Sequence, residues 1–108
     1  MPKHTTFPPF ITQRASELRS LCERHQVKTL ALFGSALRED FSAGSDLDFL
    51  VEFYPLKAVE HKRAYFGLVW ALEALFDKRV DLVEVKSVRN PYLKNTIEAT
   101  QEMIYAAA

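Results

Sequence analysis

Leu30 to Phe53 reads LALFGSALREDFSAGSDLDFLVEF, and its punctuation decides the fold. Thr29 to Phe33 is an apolar run that reads as a strand, closed by Gly34-Ser35. After ten intervening residues comes Asp46-Leu47-Asp48. Leu47 to Phe53 reads as a second strand, and its unbroken Phe49-Leu50-Val51 predicts burial on both faces, as in a central strand. Side chains alternate along a strand, so Asp46 and Asp48 project to one side and Leu47 to the other. Two adjacent carboxylates repel unless a cation sits between them, and an all-oxygen pair suits Mg²⁺ or Mn²⁺ rather than zinc. A glycine turn that admits phosphate beside such a pair is an arrangement for a metal–triphosphate.

Each piece taken singly has an ordinary reading: Gly-Ser after a strand is usually a turn, and Asp-x-Asp a solvated strand end. Together they say more. Four specified positions at fixed spacing coincide by chance in on the order of one chain in a thousand. Two of the three glycines, Gly34 and Gly44, bracket the segment.

The Gly-Ser, the ten-residue gap and the Asp-x-Asp resemble the signature of the polymerase-β-like nucleotidyltransferase superfamily. The short chain and the run Gly34-Ser35-Ala36-Leu37-Arg38 look like its minimal nucleotidyltransferase branch, often antitoxin partners of small helical HEPN-type toxins. The resemblance covers residues 28 to 105, and Glu39 stands where many relatives carry a glycine. It implies an α/β fold, a small mixed β-sheet flanked by helices. It also implies a third carboxylate on a later strand, and Val80-Asp81-Leu82-Val83-Glu84-Val85 supplies Asp81.

A chain of 108 residues is one domain, with no room for a separate acceptor-binding domain. Residues 1–108 are therefore read as a single minimal nucleotidyltransferase domain with 1–10 as an irregular arm. Apolar residues make up 48% and charged residues 26%, an ordinary globular balance. The lone Cys22 excludes an internal disulfide and fits a reducing cytoplasm, and its helical position predicts a buried thiol. No apolar stretch approaches a membrane span and no signal-peptide pattern opens the chain, so a cytoplasmic protein without membrane partners is expected. Net charge is zero, which gives no electrostatic case for nucleic-acid binding. The charge is unevenly placed, however: residues 39–60 carry six acidic side chains and one basic. That block would repel a bare triphosphate and makes sense with divalent cations bound.

Ile11, Ala15, Leu18 and Cys22 recur at helical spacing and predict a first helix from Thr12 to His25. Strand one is expected at Lys28–Phe33, a short helix at Ser35–Asp40, and a turn at Ala43–Ser45. Tyr65, Leu68, Val69, Leu72, Leu75 and Phe76 form one stripe of a helix from Leu56 to Phe76, and Trp70 is assigned to the core with them. Val80–Val85 is strand three. Asn90-Pro91 starts a last helix, buried through Leu93, Ile97 and Ile104. The order predicts a three-layer-like α/β domain.

The chemistry implied is transfer of a nucleoside monophosphate, AMP from ATP, to a hydroxyl. Asp46 and Asp48 would hold two Mg²⁺ (or Mn²⁺) ions, and Asp81 would complete the site of the ion that serves the nucleophile. Gly34 and Ser35 would take the terminal phosphates. Arg38 would clamp phosphate or pair with Asp40. Lys78, Arg79, Arg89 and Lys94 are either triphosphate contacts or solvated charges, and His4, His25 and His61 are too scattered for zinc. Two readings compete: an enzyme that modifies a partner protein, most plainly a HEPN-type toxin, and an inactive antitoxin that neutralises by contact. Retention of all three carboxylates and the Gly-Ser favours the enzyme. Self-association is left open.

Overall fold

The computed structural model describes residues 9–34 and 46–107. The short helix expected at Ser35–Asp40 and the turn at Ala43–Ser45 lie outside them. The elements run α1 (Pro9–Thr12), α2 (Ala15–Arg24), β1 (Val27–Phe33), β2 (Leu47–Phe53), α3 (Ala58–Phe76), β3 (Val80–Glu84), α4 (Pro91–Thr100) and β4 (Glu102–Ala106). A single 3₁₀ turn, Val85–Ser87, precedes α4.

The strands form one mixed sheet in the order β3-β2-β1-β4. β1 pairs antiparallel with β2 and with β4, while β2 and β3 are parallel and joined through α3. A parallel pair needs such a crossover, and the 19-residue α3 supplies it. Alternation along the strands then divides the apolar residues between two faces. On one face Leu30, Leu32, Leu47, Phe49, Val51 and Leu82 pack with Leu18 and Cys22 of α2 and Leu68 and Leu72 of α3. On the other, Ala31, Phe33 and Leu50 meet Ile97 of α4. The result is three layers, with β2 central and covered on both sides as its unbroken apolar run predicts.

Cys22 is fully buried, and burial, with Glu23 nearby, pushes its thiol up to about 12 from an ordinary 9.0. A thiol held protonated through the neutral range is a packing group rather than a nucleophile. At the start of α4, Asn90 caps the helix by accepting from the amides of Tyr92 (2.8 Å) and Leu93 (3.4 Å), with Pro91 at its first position. Asp77 closes α3 in the left-handed region at φ 53°.

Four expectations are corrected. The arm expected over 1–10 includes the start of α1 at Pro9. The single helix Thr12–His25 is two helices, because the chain turns at Gln13-Arg14, where the Arg14 amide donates to the Ile11 carbonyl (3.1 Å). Ile11 and Leu18 stay buried, but Ala15 faces solvent.

The last helix stops at Thr100, and Ile104 belongs to β4. Its spacing from Leu93 and Ile97 matches a helical stripe only by coincidence. Without β4 the buried β1 would be an edge strand with unpaired backbone groups, and pairing such as Leu30 with Tyr105 removes that cost. Trp70, assigned to the core, is 66% exposed on the outer side of α3.

Candidate active site

Strand direction assembles the site. Because β2 runs antiparallel to β1 and parallel to β3, the end of β1, the start of β2 and the start of β3 share one end of the sheet. Phe33, the last residue of β1, is the register partner of Asp48, and Asp48 is the partner of Asp81. Register partners point to the same face, so Asp48 and Asp81 lie side by side opposite the Phe49 core. Asp46 stands just before β2, and the Leu47 amide donates to the Arg79 carbonyl (3.0 Å), which fastens the starts of β2 and β3 together.

Gly34 follows β1 at φ +76°, a conformation that L side chains rarely adopt. A Cβ placed there would lie 2.5 Å from Asp48 Oδ2. The turn and the carboxylate are therefore in direct contact, and glycine is required on both counts. Gly34→Ala is expected to cost about 1–2 kcal/mol for the left-handed backbone. It should also push the Asp48 carboxylate aside and lower transfer by roughly tenfold or more beyond that loss. Urea denaturation with single-turnover transfer separates the two effects, and unchanged transfer would show that Asp48 has no fixed role.

The Gly34 amide donates to Thr100 Oγ1 (3.1 Å), and the Thr100 hydroxyl donates in turn to the Thr96 carbonyl (2.6 Å). Thr100, in the last turn of α4, thus holds the glycine turn. Sequence reading missed it, since a threonine at a helix end carries no signal of a partner 66 residues away.

The carboxylates are in unequal surroundings. Asp46 is paired through Oδ1 with Arg79 Nε at 3.3 Å, and both side chains are largely solvated. Asp48 is half-buried, while Asp46 and Asp81 are exposed. The Tyr65 hydroxyl donates to the Leu82 carbonyl, and its ionisation is pushed up first by burial, then by Asp81 and Glu84. Among the described residues, no three acidic, histidine or cysteine side chains are gathered closely enough to hold a metal as they stand. Ser35 and Arg38 lie outside the described residues. Of the four candidate cations, Arg79 is at this end of the sheet, whereas Arg89 and Lys94 are exposed residues flanking the start of α4. His25 bonds the Leu21 carbonyl (2.8 Å) and His61 bonds Glu84 (2.7 Å), each in a separate structural tie.

The mixed sheet of this α/β domain brings aspartates beside a glycine turn at one end. The nucleotidyltransferase domain family matches residues 17–104, and the chain belongs to that family. Its curated relatives include a Methanocaldococcus jannaschii chain named as a protein adenylyltransferase, 38% identical over 89 residues, spanning 79% of this chain and 82% of that one. They also include protein adenylyltransferase MntA of Thermococcus cleftensis, 33% identical over 95 residues and covering 88% and 87%. A solved minimal nucleotidyltransferase superposes with a TM-score of 0.65 at 31% identity, covering 94% of this chain and 98% of that one. The MNT antitoxin bound to a tri-AMPylated Shewanella oneidensis HEPN toxin shares the fold, with a TM-score of 0.62 at 19% identity, covering 90% and 73%. The chain is thus a nucleotidyltransferase similar to protein adenylyltransferases. Among the described residues no helix is long and apolar enough to cross a membrane.

Proposed function

We propose that this nucleotidyltransferase moves AMP from ATP onto a hydroxyl of a HEPN-type toxin and so acts as its antitoxin. The observation that carries the proposal is the register pairing of Asp48 with Asp81 directly beside the Gly34 turn. The names of the relatives supply the nucleotide and the class of acceptor.

The donor set fits a hard divalent cation: carboxylate oxygens on one face, with Asp46 exposed enough to exchange its Arg79 partner for a metal. Asp46, Asp48 and Asp81 would hold the ions, two Mg²⁺ by this reading. When bound, such ions screen the triphosphate and lower the pKa of an acceptor hydroxyl.

The remaining work falls to the chain. Gly34 lets the triphosphate approach the backbone without a Cβ in the way, and Ser35 donates to its oxygens. Arg79, once released by Asp46, and Arg38 are the cations that would meet the phosphates. The sheet fixes Asp48 and Asp81 at one spacing, so the acceptor oxygen and the α-phosphorus can be set in line. The new O–P bond forms as the bond to pyrophosphate breaks, and the hydroxyl proton leaves toward Asp81.

The test is to incubate the protein with ATP, Mg²⁺ and a HEPN-type toxin, then weigh that toxin intact. A gain of one or more AMP masses is expected. Neutralisation of the toxin with no mass gain would overturn the enzyme and favour a contact-only antitoxin.

A further inference from the structure

β3 carries Asp81 as its second residue and stands at the end of the sheet order β3-β2-β1-β4. Backbone groups of successive strand residues turn to opposite sides. The Arg79 carbonyl faces β2, where it accepts from the Leu47 amide, so Val80 and Leu82 turn their amides and carbonyls away from β2. On that outer side α3 supplies the partners. Glu73 Oε2 accepts from the Val80 amide (3.2 Å), and the Tyr65 hydroxyl donates to the Leu82 carbonyl. The two bonds hold the strand immediately before and immediately after Asp81.

There is a mechanical need for such a hold. Asp48 and Asp81 are register partners on one face, and their like charges push β2 and β3 apart. A five-residue strand at the end of a sheet yields to that push more easily than a central one. Carboxylates that share metal ions have to be fixed to within about 0.5 Å. Burial, and then the charges of Asp81 and Glu84, raise the ionisation of Tyr65, so its hydroxyl remains a donor through the neutral range.

We propose that Tyr65 and Glu73 are positioning residues for nucleotide transfer: from α3 they bond the outer backbone of β3 on either side of Asp81 and fix that carboxylate beside Asp48. The inference rests on the metal-holding role proposed for Asp81. A third tie between the same two elements, His61 Nε2 to Glu84 Oε1 at 2.7 Å, lies farther along β3 and serves as the control.

Mn²⁺ titration followed by electron paramagnetic resonance, with a non-hydrolysable ATP analogue present, measures metal binding without turnover. Tyr65→Phe keeps the ring and removes the hydroxyl. It should weaken Mn²⁺ binding roughly tenfold and speed amide hydrogen exchange across Val80–Leu82. Glu73→Ala should do the same, while Glu73→Gln, which keeps an acceptor oxygen, should restore both readouts. Glu84→Ala should leave Mn²⁺ binding within about twofold, although it costs stability. In an Asp81→Asn background Tyr65→Phe should have no further effect on Mn²⁺ binding, because its action passes through that carboxylate. If Asp81→Asn weakens Mn²⁺ binding but Tyr65→Phe and Glu73→Ala do not, the positioning role is wrong and the metal role of Asp81 stands. Weakening by Glu84→Ala as large as by Tyr65→Phe would also overturn it, leaving all three ties as general supports of the fold. Mn²⁺ binding indifferent to Asp81→Asn would overturn both readings.

Discussion

Asp48→Asn is expected to lower nucleotide transfer on the order of a thousandfold or more while leaving the fold intact. The replacement keeps the shape of the side chain and removes one negative charge from the point where β1, β2 and β3 converge. A carboxylate that holds a divalent cation cannot be replaced by a neutral amide without losing most of the charge stabilisation that the reaction needs. Stability should change by less than about 0.5 kcal/mol, or rise, since Asp46 and Asp81 lie on the same face and repulsion between them falls.

Intact-mass measurement of the acceptor and a urea melt of the variant read the two effects separately. Glu84→Ala supplies the contrast. Glu84 lies farther along β3, on the other face, and its carboxylate accepts from His61 Nε2 at 2.7 Å. Its loss should cost stability by untying α3 from β3 and leave transfer within about twofold once stability is matched. Transfer that survived in Asp48→Asn, or fell equally in both variants, would remove Asp48 from the reaction.

One residue along the strand, the expected effect moves from chemistry to stability. Phe49→Ala should destabilise the protein by about 3–5 kcal/mol. Phe49 is fully buried at the centre of the larger apolar cluster and stacks against Phe76 at 6.2 Å, so truncation removes aromatic contact and opens a cavity that strands on both sides keep from collapsing. Set against the 5–15 kcal/mol or so that holds a domain of this size together, this is a large fraction.

Trp70→Ala, by contrast, should cost the isolated chain less than about 1 kcal/mol, because most of that ring is in water. The denaturation midpoints of the two variants check the ordering. A small effect at Phe49, or a larger one at Trp70, would mean that the α3–sheet core is packed differently.

The sequence alone was enough for features written in adjacent residues. Gly34 and the Asp46–Asp48 pair announce a turn and a strand mouth through spacing, and period-two and period-3.6 patterns place β1, β2, β3 and α3 to within two residues at most boundaries. The Asn90-Pro91 cap is legible for the same reason, since its hydrogen bonds reach only two and three residues on. Each of these is a local property of the chain.

What required the tertiary structure involves partners distant in sequence. Asp81 could be named from the family resemblance, but its place beside Asp48 depends on β2 and β3 being parallel neighbours in register. Thr100 joins Gly34 only because α4 crosses the sheet and delivers its last turn to the end of β1. Ile104 fits a helical stripe as well as a strand, and the choice is made by the unpaired edge of β1. Trp70 has the composition of a core residue, yet α3 can turn only one face to the sheet, and Leu68 and Leu72 occupy it. Spacing along a chain specifies which way a side chain points from its own element. Only packing specifies what it points at.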